Sequence, residues 1–421
     1  MQHQRLAMGS VGNGEIGNPT MNMTLNPNIP EAVRAVAADG TKLRYALMEM
    51  AAEYKDAIAL GRGDPDLATP PHIITTAERA MRDRLTGRTP VAGLPELRAA
   101  IARKLQRENG LSVEGENIIV TTGGQEALFL IMQALIDPGD EILVPDPRYT
   151  SYDDAITSAG GQIVMIATDH NDAFNLRPEV VEAAITPKTK ALLIVSPSNP
   201  TAGIVTEERL RQIADVAIRH NLIVISDEIY EKFVYAPYHH FSIASLPVMA
   251  ERSITLNGFS KTYAMTGWRV GYIAAPKNVI DALTRVKAVT TGPAASVSQW
   301  AALAALEAPE ADAAIREFQQ IYTERRAVAM AGLTEMGLTF SEPRGAFFIW
   351  TNSSSTGIHA TELSYLLLKE GRILLFPGTA FGENWGGYLR ISLLQPSDVL
   401  QEAWQRMKPI IERYRVNNSS T

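Results

Sequence analysis

The hydrophobic rhythm changes along the chain, and the changes divide it. Residues 1–24 are rich in Gly, Asn and Met and show no period, so a mobile tail is expected there, with Met8 or Met21 as a later start. From Pro30 to Lys55 apolar residues recur at helical spacing, with Val33, Val36, Leu43, Leu47 and Met50 on one side. Short continuous apolar runs then read as buried strands: Ile118–Val120, Glu141–Val144, Gln162–Ile166, Ala191–Ser196, Leu222–Ser226, Ser253–Leu256 and Gly271–Ala275. Helical stretches fall between most of them, such as Glu126–Ala134, Glu179–Ala184 and Glu207–His220. Ahead of them, Pro95–Glu108 places Leu97, Ile101 and Leu105 four apart. This alternation predicts an α/β fold: a mostly parallel sheet of about seven strands, helices on both faces, right-handed crossovers.

Past residue 295 the rhythm is lost. A long helical region, Ser296–Met336, precedes Phe347–Trp350, a helix Ala360–Glu370 and the run Tyr388–Ser392, which suggests a smaller α+β domain. The expected organisation is a tail (1–24), a segment packing on the small domain (25–55), a large domain (56–295) and a small one (296–421).

Composition narrows the function classes. With 421 residues and 46% hydrophobic content the chain can build two cored domains. The net charge of -7 and the lack of a basic run disfavour nucleic acid and anionic membranes. No apolar stretch reaches spanning length, and residues 1–20 lack the order of a signal peptide. There are no cysteines, hence no disulfides and no thiolate chemistry, which fits a reducing compartment. A cytoplasmic protein is expected, and no metal site is read.

In open parallel sheets ligands sit beyond the carboxyl ends of the strands. Lys261 follows the strand Ser253–Leu256, and Arg269 comes eight residues later between Gly267 and Gly271. A lysine amine kept neutral by its surroundings forms a Schiff base with an aldehyde. An arginine suits two-point capture of a phosphate. Pyridoxal 5'-phosphate (PLP) is an aldehyde that carries a phosphate. Taken alone, the pair reads equally as a loop lysine and a salt-bridged arginine. A PLP site also needs a phosphate cup, an acid for the pyridine nitrogen and an aromatic face. Gly123 and Gly124 stand between a strand end and a helix start, where free N–H groups favour an anion, though they also suit a tight turn. Asp227 closes the strand Leu222–Ser226 and can hold a pyridine nitrogen protonated, or cap a helix. Tyr230 and Asn199 can reach the ring oxygen, and Tyr149 can stack on the ring; Asn199 also fits a turn before proline and Tyr149 a core position. Their joint order along the strand ends favours the site.

At this point the chain resembles the class I/II (fold type I) PLP-dependent aminotransferases, closest to the prokaryotic aspartate aminotransferase-like branch. The matching stretches include Gly63-Asp64-Pro65-Asp66, Gly93-Leu94-Pro95-Glu96-Leu97-Arg98, Asp146-Pro147-Arg148-Tyr149 and Ser196-Pro197-Ser198-Asn199-Pro200-Thr201. Asp227-Glu228-Ile229-Tyr230, the run Lys261–Tyr272, Pro377–Gly382 and Arg390-Ile391-Ser392 complete them. The resemblance implies a homodimeric transaminase moving an amino group from an L-amino acid to a 2-oxo acid. It implies that Lys261 forms the Schiff base and then moves the substrate proton, and that Asp227 pairs with the pyridine nitrogen. Asn199 and Tyr230 would bind the ring oxygen. Gly124, Gln125, Ser260 and Arg269 would hold the phosphate. Arg390 would clamp the substrate α-carboxylate, helped by Asn199 and the Gly63 backbone; a planar guanidinium suits that group on chemical grounds too, and a strand-end salt bridge is the bland alternative.

Three departures from the family pattern stand out. Arg88 replaces a usual Tyr that reaches across the dimer, Gly258 replaces a phosphate-binding Ser, and Gln125 is neutral where some dicarboxylate-using relatives carry Lys. The same scaffold also hosts lyases, decarboxylases, amino-acid oxidases and non-enzymatic regulators. The regulators carry a DNA-binding domain ahead of the body, and no helix-turn-helix pattern or basic cluster precedes Ile58 here. Arg62, Arg148 and Trp385 read as gate residues or as surface.

Overall fold

Strands in this chain are short apolar runs, and they assemble into three sheets. In chain order they are β1 (Ile58–Ala59), β2 (Ile118–Thr121), β3 (Glu141–Asp146), β4 (Gln162–Ala167), β5 (Thr189–Val195), β6 (Ile223–Asp227), β7 (Ser253–Gly258), β8 (Gly271–Ala274), β9 (Thr339–Phe340), β10 (Phe348–Asn352), β11 (Ile373–Leu374), β12 (Phe376–Pro377) and β13 (Tyr388–Ser392). The computed structural model describes residues 39–415, so the expected tail and the first part of the 25–55 segment lie outside the described residues. The described residues belong to one compact unit.

The main sheet has seven strands in the order β2-β8-β7-β6-β5-β3-β4. Its pairings β3–β4, β3–β5, β5–β6 and β6–β7 are parallel. β8 runs antiparallel to both β2 and β7. The expected seven-stranded, mostly parallel sheet is therefore present, with one reversed strand. β2, β7 and β8 are buried along their whole length, whereas the edge strand β4 is largely solvated. Each face is covered: Ile119, Val144, Leu193 and Ile225 pack under the helix Gly123–Leu135, and Leu143, Leu192, Ile194 and Val224 under Glu207–Arg219.

Beyond the main sheet, β12-β13-β10-β9 form a four-stranded antiparallel sheet, and β1 pairs in parallel with β11. This second sheet positions part of the site. Leu60 N–H donates to Leu374 O at 2.7 Å and Ser392 N–H to Leu60 O at 2.8 Å, so the chain leaving β1 turns at Gly61–Gly63 directly beside Arg390 on β13. Leu47 and Ala51 of the helix Asp39–Ala52 pack with Trp350, Phe376 and Phe381.

Several helix boundaries differ from the sequence reading. The helix expected at Glu126 begins at Gly123, because the Gly-Gly pair is its first turn and not a preceding loop. The expected Pro95–Glu108 helix is Pro95–Lys104 followed by a wider turn, Leu105–Asn109. The helical region after Ser296 breaks into Ser296–Glu307 and Ala311–Glu335 around Pro309, as a proline lacking its N–H requires. The helices Pro71–Arg82, Ser151–Ser158, Lys277–Val289 and Ser397–Tyr414 had not been read from the pattern.

One glycine in the loop before Pro95 is required by its backbone. Gly93 has φ +106°, and a β-carbon there would lie 2.4 Å from Val120 Cγ2 and 2.6 Å from Val120 Cβ on β2. Next to it Ala92 O accepts from Val120 N–H at 2.9 Å and Leu94 N–H donates to Gln299 Oε1 at 2.7 Å, so the loop cannot move aside cheaply. Gly93→Ala should lower unfolding stability by about 3 kcal/mol, the sum of a left-handed alanine and an overpacked contact. Denaturant titration should show the midpoint falling with the slope unchanged.

Candidate active site

Residues from both sheets converge on a cavity of about 580 Å³ at the carboxyl ends of the parallel strands. All eleven residues picked from the sequence line it: Gly63, Gly124, Gln125, Tyr149, Asn199, Asp227, Tyr230, Ser260, Lys261, Arg269 and Arg390. Arg62 lines it as well. Arg88 is exposed and stands away from the lining. Arg148 is bonded instead to Asp153 and Asp146, bracing the end of β3 on the helix Ser151–Ser158, and Trp385, in the loop before β13, donates to Asp146 at 3.1 Å.

Lys261 stands three residues past β7. Its Nζ donates to Gly63 O at 2.8 Å and to Asp64 Oδ1 at 3.1 Å. Burial pushes its ammonium below the ordinary lysine value, although Asp64 pulls the other way; Arg390 and Arg269 add to the depression. Asp227 ends β6. Its Oδ2 accepts from Tyr152 Oη at 2.8 Å and its Oδ1 from Ile229 N–H at 3.1 Å. Burial raises this carboxyl to about 6 despite both bonds. Tyr152 itself is fully enclosed and its phenol is pushed up by burial and by Asp227.

On the other side, Arg390 Nη1 donates to Asn199 Oδ1 at 2.7 Å and Nη2 to Gly61 O at 2.5 Å. Its Nε is buried without a partner. Its guanidinium lies 4.3 Å from the centre of the Phe348 ring and 4.6 Å from that of Phe381, and burial lowers its pKa to about 9. Since Asn199 spends its oxygen on Arg390, its amide N–H groups remain for a ligand. Tyr230 is buried beside Phe347 and Phe348.

At the start of the helix Gly123–Leu135, Thr122 offers no side-chain cap. Arg269 approaches that end, bonding Thr266 O at 3.0 Å and Thr122 O at 3.4 Å. A β-carbon on Gly123 would meet Arg269 Nη2 at 2.5 Å, so only glycine lets the guanidinium and the helix end face one anion together. Gln125 Nε2 holds Tyr149 Oη at 3.3 Å and Ser151 Oγ at 3.2 Å, steadying Tyr149 at the cavity wall.

Sequence reasoning missed Tyr152, Arg44 and Thr266. The first had a signal: it lies three residues after Tyr149, one turn on, and the two rings meet edge to face at 5.7 Å. Arg44 had none, because the helix Asp39–Ala52 lies more than a hundred residues from Thr150, whose Oγ1 accepts from its Nη2 at 3.0 Å. Elsewhere, the carboxylates of Glu228 and Glu231 lie near His240, but Lys104, Asn109, Ser226 and Ser242 already bond them, and the cluster is a hydrogen-bonded polar core.

These residues fit PLP. Lys261 acts on the buried Asp227 only through space and no described cation bonds its carboxylate, a place a pyridinium nitrogen would fill; the glycine-cut helix end with Arg269 suits a phosphate; the depressed Lys261 suits an aldehyde. A PLP-dependent enzyme of the fold type I class is what the fold and the cavity define together. The comparisons agree. The chain matches the family of aminotransferase class I and II over residues 55–407. It is 41% identical to an aspartate aminotransferase of Pyrococcus abyssi over 88% of this chain and 95% of the relative. It is 38% identical to an aromatic-amino-acid aminotransferase of Thermococcus litoralis, with 88% and 95% covered. The solved aspartate aminotransferase of Thermus thermophilus with maleate superposes with a TM-score of 0.86 at 38% identity, covering 91% of this chain and 99% of that one. The chain belongs to the class I and II aminotransferases, PLP-dependent enzymes that transfer an amino group between an amino acid and a 2-oxo acid.

The Asp227 shift gives a stability test on cofactor-free protein. Its pKa is about 6 in the fold against an ordinary 3.8, so between those values the folded state binds more protons than the unfolded one. Stability is therefore lost as pH rises through that window, by roughly 3 kcal/mol. Asp227→Asn has no such loss: relative to the unsubstituted protein its melting temperature should climb from pH 4 to pH 6 and then hold steady. A difference independent of pH would show that the carboxyl is not so shifted.

Proposed function

We propose that this chain is a homodimeric, cytoplasmic aminotransferase that takes dicarboxylic amino acids, with the cavity residues in the following roles. PLP, when bound, supplies a carbonyl that condenses with amines and a ring that withdraws electrons. Lys261 Nζ would hold the cofactor and, once displaced by substrate, take the proton from the substrate Cα. Asp227 would keep the ring nitrogen protonated, with Tyr152 fixing its carboxylate. Asn199 and Tyr230 would donate to the ring oxygen, and Tyr149 would cover the ring. The N–H groups at Gly124 and Gln125, with Ser260 and Arg269, would take the phosphate.

The substrate reading rests on one observation: two guanidinium groups lie over the same Phe381 ring, Arg390 at 4.6 Å and Arg44 at 5.7 Å. Arg390, with its unpartnered Nε, would clamp the α-carboxylate with Asn199 and the Gly63 backbone. Arg44 bonds the hydroxyls of Thr41 and Thr150, and Asp154 acts on it through space; among the described residues no carboxylate bonds it, so its charged N–H groups would take a second carboxylate. Gln125 cannot supply that charge, so the neutral residue that weakened a dicarboxylate reading from sequence is offset from another element. A name given for aspartate, carried by one relative, supports the reading, and a name given for aromatic amino acids, carried by another, defines the rival.

The dimer is supported by Ile74 and Met81, which are exposed seven apart on the helix Pro71–Arg82, with Leu85 just after it; a second copy would cover such a face. A cytoplasmic setting is supported by the absence of cysteine. The proposed division at residue 295 places the β12-β13-β10-β9 sheet at the centre of the smaller domain.

Borohydride treatment of the PLP-loaded protein should attach the cofactor's mass to the peptide bearing Lys261. Lys261→Ala should take no label and lose at least ~10³-fold in turnover; a label on another lysine would sink the assignment. Arg44→Gln should lower kcat/KM for aspartate roughly 10- to 100-fold, the loss of one charge-assisted hydrogen bond, with little change for tyrosine. Equal losses on the two substrates would discard the dicarboxylate reading.

A further inference from the structure

Behind the proposed phosphate cup lies an ion pair that the reaction does not use. Glu126 sits one turn into the helix Gly123–Leu135 and folds back so that its Oε2 accepts from Thr122 N–H; Thr291 Oγ1 donates to its Oε1. Lys287, near the end of the helix Lys277–Val289, donates to both carboxylate oxygens at 2.7 Å. The lysine is 0% exposed and the glutamate side chain 7%. Burial pushes the Glu126 carboxyl up, and the bonds from Lys287, Thr291 and Thr122 overcome it, leaving the group ionised below its ordinary range.

A carboxylate here shares the helix N-terminus with the ligand anion. Unopposed, it would cancel part of the positive potential that the free N–H groups and Arg269 present. A buried ion pair contributes little to stability against an apolar pair of the same shape, so bracing two helices does not require charge. We propose that Lys287 is a positioning residue for cofactor binding: it neutralises Glu126 so that the helix end, tied down by the Glu126–Thr122 bond, stays electropositive toward the phosphate of PLP. This rests on reading Gly124, Gln125 and Arg269 as the phosphate cup.

The charges make the two partners' substitutions differ in sign. Lys287→Met leaves an uncompensated anion, Glu126→Gln an uncompensated cation, and Glu126→Gln/Lys287→Met neither. The test is equilibrium binding of PLP and of pyridoxal, which lacks the phosphate, to cofactor-stripped protein. Lys287→Met should weaken PLP about tenfold, ~1.4 kcal/mol, and leave pyridoxal within about twofold. Glu126→Gln should bind PLP at least as tightly as the parent, and the double variant should return to near the parent value. Should both single variants weaken PLP and pyridoxal alike, the pair is a brace only and the proposal is overturned. A parent protein that binds the two compounds equally would remove the phosphate-cup reading itself, a separate failure. If Lys287→Met does not fold, the comparison of Glu126→Gln with the double variant decides, since only a charge effect makes the first bind PLP more tightly than the second.

Discussion

The Asp227 carboxylate is held largely buried at the end of β6, by a phenol from the helix Ser151–Ser158 and a backbone N–H. Two hydrogen bonds do not compensate burial of a full charge, and the carboxyl stands near 6 as a result. The cofactor-free fold therefore carries a destabilised group whose cost a cationic ring would relieve. Most of the surrounding architecture serves that placement. β6 lies between two parallel neighbours, which fix where the strand ends and so where the carboxylate points. The next strand, β7, delivers Lys261 to the same cavity three residues beyond its end.

Other buried charges near the site are arranged in pairs. Glu231, four residues past β6, is matched by Lys104, and Glu228 beside it is held by hydrogen bonds from Asn109, Ser226 and Ser242. Glu126 is matched by Lys287, and Arg325 grips Asp66 at 2.8 and 2.9 Å just after the Gly61–Gly63 turn. Pairs of this kind fix geometry more than they add stability, because desolvation offsets most of the attraction. Each pair ties a segment entering the cavity to a distant element. The unpaired or depressed groups, Asp227, Lys261 and Arg390, are the ones that face the cavity itself.

Residues whose meaning is local were legible in the sequence. Asp227 closes β6, and Asn199 and Lys261 follow β5 and β7 within four residues, so the apolar runs point to them; the Gly-Gly pair read as a turn suited to an anion, though not as the start of the helix. Arg390 was legible through its motif and chemistry. Relations between distant residues were not legible. Arg44 meets Thr150 across 106 positions and Lys287 meets Glu126 across 161, and no periodicity encodes such a meeting. The reversed β8 was hidden for a similar reason, since a fully buried strand reads alike in either direction. β9, β11 and β12 have two residues each, too few for any pattern.

The charge of the cavity runs against that of the chain. The protein carries -7 overall, yet among the described residues Arg44, Arg62, Lys261, Arg269 and Arg390 line the cavity against only Asp64 and Asp227. Such concavities with low-dielectric walls concentrate their own field and draw anions in from solution. The same crowding acts on Lys261: burial does most to lower its pKa, and Arg390 and Arg269 lower it further. A lysine whose pKa is lowered by burial and by cationic neighbours gives up its proton more readily and so attacks a carbonyl more readily, and those neighbours are the groups suited to the phosphate and the carboxylates. Binding of those anions would cancel the neighbours' charge and raise the affinity of Lys261 for a proton. That is the direction that the proposed role of Lys261 as the base would require. In the roles proposed for these residues, one set of charges would thus serve attraction, nucleophilicity before the ligands arrive and basicity once they are in place.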